Sequence, residues 1–181
     1  MLTHYLISPP LIAGLLLMLS LAVFTDLTQR KIPNTLVLYG LIFSCILQCF
    51  SYGWAGALNW VLGISVGFIC FFPLYLLRGM AAGDVKLMMA VGGFLGYPLV
   101  FTAALYSLIA GGVMAIMYLI YKQKIGQLMM LIKYIATNIF VRTTGLSVYD
   151  FNVSQTSLGR MPYAQAIAAG TVLAYYFKAS T

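Results

Sequence analysis

Asp26, Asp84 and Asp150 are the only carboxylate side chains of this 181-residue chain, which contains no glutamate. Two carboxyl groups held close together cannot both ionise easily, so one keeps a proton as an acid while the other serves as a base. That is the chemistry that activates water against a peptide carbonyl. Asp26 and Asp84 are the candidates for such a pair, because each sits where an apolar run ends or begins. An ionisable group at the edge of a membrane segment marks a functional site by default. Plainer readings stand beside this one: Asp84 follows Gly83 and would make a good N-cap, and Asp26 could be a solvated residue near Arg30 and Lys31. Asp150, between Arg142 and Arg160 in a polar stretch, reads as a solvated or ion-paired surface residue.

The elements that must position these acids are membrane helices. Hydrophobic residues make up 62% of the chain and charged residues 7%, with a mean hydropathy of +0.98. Such a chain has lipid as its main solvent. Its length accommodates about five to seven spans of roughly twenty residues with short connections, which predicts a single integral membrane domain over residues 1–181. Apolar runs cover Leu11 to Thr25, Thr35 to Tyr52, Ala55 to Leu77, Val85 to Tyr97, Leu99 to Tyr121 and Pro162 to Phe177. The expected fold is therefore an all-α membrane protein with a bundle of six transmembrane helices. The fourth run is short and carries Lys86, so it crosses only if the bilayer thins or neighbouring helices shelter its ends. Gly96, Tyr97 and Pro98 are expected to turn the chain into the fifth.

Basic residues collect on the cytoplasmic side of membrane proteins. With six spans and the amino terminus outside, all of the ten Lys and Arg except Lys178 face the cytoplasm. The net charge of +7 is then a matter of orientation and attraction to anionic head groups, and it calls for no nucleic-acid partner. In this orientation Asp26 and Asp84 lie at a similar depth near the cytoplasmic face. Between the fifth and sixth spans, Ile125, Leu128, Met129, Ile132, Ile135, Ala136 and Ile139 recur at helical spacing, predicting a helix lying in the cytoplasmic interface.

Other residues offer less chemistry. Cys45, Cys49 and Cys70 fall within apolar runs as small packing residues, and no metal-ligand cluster or cofactor motif is legible. His4 is isolated and receives no role. The first run lacks a basic amino-terminal flank and a small-residue cleavage site, so it reads as a retained helix and not a signal peptide. Gly63 and Gly67, Gly92 and Gly96, and Ala166 and Gly170 are small residues four apart, a spacing that allows close helix approach in lipid.

The run Asp26-Leu-Thr-Gln-Arg-Lys-Ile-Pro-Asn34, the run Arg78-Gly-Met-Ala-Ala-Gly-Asp-Val-Lys-Leu87 and the later Gly159-Arg-Met-Pro-Tyr163 resemble, in this order, the type IV prepilin peptidases, a family of membrane aspartyl proteases. By that resemblance Asp26 and Asp84 match the two catalytic aspartates, the second belonging to the GxGD motif shared with presenilin-type proteases. Ala81 replaces the first glycine of that motif. Alanine accepts a helical or extended backbone there but not a positive φ.

Larger members of the family add a cytoplasmic segment with paired Cys-x-x-Cys motifs, associated with zinc and with methylation of the new amino terminus. No such motif is present in this sequence. The resemblance is therefore to the short form of the tight-adherence (Flp) pilus systems, and it implies cleavage without methylation. It further implies a bacterial cytoplasmic (inner) membrane location, no metal or other cofactor, and as partners a bilayer and a prepilin with a leader peptide and a hydrophobic helix. Of the two acids, Asp84 is expected to be the ionised one, from its place at a helix amino terminus and from Lys86 nearby. The rival readings are a non-enzymatic small membrane transporter or assembly subunit, and an intramembrane protease acting on other helices. Against a transporter, no repeated halves are evident and the spans are nearly free of charge away from their ends.

Overall fold

The computed structural model describes residues 8–77, 79–121 and 163–179, and every regular element among them is helical. In chain order these are α1 (Pro9–Gln29), α2 (Asn34–Leu76), α3 (Ala82–Leu95), α4 (Leu99–Tyr121) and α5 (Ala164–Ala179). α1, α2 and residues Leu99–Tyr118 of α4 are long and apolar enough to cross a membrane. The chain divides into two compact units, Met1–Gly111 with Pro162–Thr181, and Gly112–Met161. Asp26 and Asp84 both belong to the first. Of the second, the described part is the end of α4. The expected interfacial helix lies outside the described residues, as do His4, Arg78 and Asp150.

Pro9 and Pro10 open α1, where a fixed φ suits the first turn and a missing N–H leaves no orphan donor. Hydroxyls inside the apolar helices bond back to carbonyls of the preceding turn, which spares them an unpartnered state in lipid. Thr25 donates to Leu21 and Ala22, each at 3.0 Å, Ser65 donates to Val61 at 2.8 Å, and Ser20 donates to Leu16. α1 continues past the apolar run and closes at Arg30, whose φ of 51° is left-handed and whose N–H meets the Asp26 carbonyl at 2.9 Å. Asp26 therefore occupies the last turn of a helix and is 5% exposed.

α2 is interrupted at Gly53, with φ 58° and ψ −135°, a conformation open to glycine and strained for other residues. The Trp60 indole N–H donates to the Ser44 hydroxyl at 3.0 Å. On one straight helix these residues would stand about 24 Å apart, so the chain reverses at Gly53 and the two arms of α2 run side by side. The arms correspond to the runs Thr35 to Tyr52 and Ala55 to Leu77. The break falls where the sequence places a boundary between two helices.

α3, at 14 residues, is about 21 Å long and shorter than the roughly 30 Å hydrocarbon core. It survives by being enclosed: Leu87, Met88, Ala90 and Val91 have no exposed surface. The first arm of α2 sends the buried Gln48 amide to the carbonyls of Gly93 and Phe94, at 3.4 and 3.3 Å. The second arm brings Gly63 against Gly92 so closely that a methyl on either would overlap the other's carbonyl. Gly67 comes similarly close to the Met88 carbonyl. α3 ends at Gly96 (φ 67°), and the Tyr97 N–H is held by the Asn59 side chain at 2.9 Å. The outer surface is apolar, with Leu17, Phe24, Phe50, Trp54 and Ile109 exposed, as suits contact with lipid.

The Gly63 and Gly92 contact yields a stability prediction. Gly92→Ala should destabilise the protein by about 1–3 kcal/mol through overpacking, read as a lowered Tm in detergent. Gly112→Ala, at a position with open space around it, should leave Tm unchanged or slightly raised. Equal Tm values for the two variants would contradict this packing.

Candidate active site

The last turn of α1, the first turn of α3 and the start of α5 meet, and each contributes to one polar cluster. Asp84 is 7% exposed, and its Oδ2 accepts the Ala81 N–H at 3.2 Å while its own N–H donates to the Ala81 carbonyl at 3.1 Å. Asp84 thus closes the first turn of α3 from within, in the manner of the acidic half of a capping box. Asp26 Oδ2 accepts the Ala164 N–H of α5 at 3.0 Å. Each carboxylate engages a backbone amide through Oδ2. Among the described residues, Gln48 Oε1 is the one fully buried side-chain acceptor without a partner.

The two acids interact. Burial pushes the Asp84 carboxyl up to about 7; the Ala81 N–H opposes the rise and the negative charge of Asp26 adds to it. The Asp84 charge in turn acts on the Tyr163 hydroxyl, in the turn ahead of α5. Asp26, Asp84 and Tyr163, remote in sequence, therefore share one electrostatic neighbourhood.

Lys86 does not join them, although it lies two residues from Asp84. Two residues turn a helix by about 200°, which carries the lysine to the far side of α3. There it is exposed and its Nζ donates to Asn34 Oδ1 at 3.1 Å. The expectation that Lys86 favours negative charge on Asp84 is not met, and burial acts in the opposite sense. Both acids therefore stand at the positive end of a helix, Asp84 in the first turn of α3 and Asp26 against α5, of which Ala164 is the first residue.

Ala81 is extended, with φ −79° and ψ 151°. Alanine adopts that conformation without strain, so the missing motif glycine costs the backbone nothing at this position. Gly83 is helical, and a Cβ there would meet Ile32 at ordinary contact distance. A groove of about 560 Å³ also runs between α2 and α3, lined by Val37, Phe68, Phe72, Val85 and Lys86 among others. Neither aspartate lines it, so it is not where the acids would act.

The Asp84 carboxyl supplies a direct test. A carboxylic-acid C=O infrared band that Asp84→Asn removes should be present below, and lost above, a pH of about 7. A band lost in the ordinary aspartate range, near about pH 4, would contradict the burial described here.

Among family models, that of the type IV leader peptidase family matches residues 13–116, a stretch that includes both Asp26 and Asp84. No match was found among curated proteins, and none among solved structures.

Proposed function

Because the chain belongs to the type IV leader peptidase family, which implies leader-peptide cleavage, we propose that Asp26 and Asp84 are its catalytic pair, removing the leader of a Flp-like prepilin at the cytoplasmic face of the bacterial inner membrane. The observation that carries this reading is the convergence of the two acids, each buried, each tied to a backbone amide through Oδ2 and each close enough to feel the other's charge. In this reading the helices are the described part of one peptidase domain with six spans, the arms of α2 counting as two. The amino terminus lies outside. The apolar run Val85 to Tyr97, most of it in α3, is the short fourth span, and Asp84 stands just ahead of that run in the first turn of the helix.

The chemistry follows from the environments. Asp26, at the positive end of α5, serves as the ionised base, and Asp84, buried and raised, keeps the proton. Water bound between them gives a proton to Asp26 as its oxygen bonds to the scissile carbonyl carbon. The protonated Asp84 donates a hydrogen bond to the carbonyl oxygen, offsetting the charge that develops there. On collapse the C–N bond breaks, and the leaving amine takes the proton that Asp26 had accepted. The pair returns to its starting state with one proton shared. The substrate's basic leader stays on the cytoplasmic side while its apolar helix rests in the bilayer beside the bundle. Methylation of the product is not part of this reading, since these 181 residues carry no Cys-x-x-Cys motif.

Co-expression with a candidate prepilin tests the assignment on a gel. Asp26→Asn and Asp84→Asn should each abolish leader removal with normal accumulation in the membrane, and Asp150→Asn should process normally. Cleavage retained by either of the first two would remove that residue from the pair. Ala81→Gly should cleave within about twofold of the parent, since residue 81 has no positive φ for glycine to relieve.

A further inference from the structure

The bond from Ala164 to Asp26 is only as good as the placement of the α5 amino terminus, and one residue fixes that placement. The Tyr163 carbonyl accepts the N–H groups of Ala166 and Ile167, at 3.0 and 3.2 Å, and so begins α5. Its hydroxyl donates to the Ser107 carbonyl of α4 at 3.2 Å. Its ring stands edge-on to Phe71 of α2, with centroids 6.3 Å apart and planes at 70°. Gly111 makes room for the ring, since any Cβ there would overlap it. Further along α5, the Ser107 hydroxyl donates to Ala103 at 2.7 Å and reaches the Ile167 carbonyl at 3.4 Å. The absent side chain of Gly170 lets the α5 backbone close on Ser107.

We propose that Tyr163 is a positioning residue for the reaction: its hydroxyl bond to Ser107 and its ring contacts with Phe71 and Gly111 aim the Ala164 N–H and the positive end of α5 at Asp26. The proposal rests on the reading of Asp26 as the catalytic base. Tyr163 acts on Asp26 through the following residue's amide and need not touch substrate. Freed from Ser107, the first turn of α5 loosens and the Ala164 N–H no longer holds the Asp26 carboxylate in one place. A base out of place meets the attacking water less often while the substrate still binds, so kcat must fall and KM hold.

The test is leader-peptide cleavage by the purified full chain, with kcat and KM taken per folded molecule, for the parent, Tyr163→Phe, Gly111→Ala and Asp26→Asn. Tyr163→Phe should lower kcat about three- to tenfold with KM unchanged within about twofold. Gly111→Ala, which displaces the ring by overlap and keeps the hydroxyl, should lower kcat in the same way. A kcat per folded molecule that is unchanged in both variants, or a loss carried by KM or by yield alone, overturns the proposal, because a merely structural role would not lower kcat at constant KM. Cleavage retained by Asp26→Asn would instead overturn the catalytic assignment on which the proposal stands.

Discussion

A buried carboxyl group at the edge of lipid needs a partner for its oxygens, and Asp26 finds one through the hydrogen bond from the Ala164 amide. It joins the last turn of α1 to the first residue of α5 and sets the positive end of a helix against one acid. The other acid, in the first turn of α3, has burial and its neighbour's charge working against ionisation. Two aspartates of the same intrinsic chemistry thus stand in different surroundings, set by where helices end and begin. In the proposed mechanism that difference lets one act as acid and the other as base.

The remaining architecture serves to hold those ends in place. α3 is too short to cross an ordinary bilayer unaided and is almost wholly enclosed, with glycine contacts on one arm of α2 and the Gln48 amide on the other. α5, also short, is bound to α4 through Ser107 and Tyr163. In lipid, where apolar surface has little reason to leave its surroundings, such close backbone approach and hydrogen bonding replace hydrophobic burial as the source of helix association.

Much of this was legible in the sequence. The scarcity of carboxylates singled out Asp26 and Asp84, and apolar runs located the helices to within a few residues, including the reversal near Gly53. Glycines spaced by four marked the contact between α2 and α3. The partner of Asp26 was not legible, because a backbone amide carries no residue signature and lies 138 positions away. Lys86 misled for a related reason: nearness along the chain places it close to Asp84, but the helical turn carries it to Asn34. Asp150, the motif residues Gly159 to Pro162 and the expected interfacial helix fall outside the described residues.

The central claim is spatial, and thiol cross-linking in native membranes measures it most directly. With Cys45, Cys49 and Cys70 replaced, a chain carrying Asp26→Cys and Asp84→Cys should be bridged rapidly by a short bifunctional methanethiosulfonate reagent, and a chain carrying Asp26→Cys and Lys86→Cys should not. Bridging of the second pair but not the first would contradict the convergence of the two acids and the mechanism built on it.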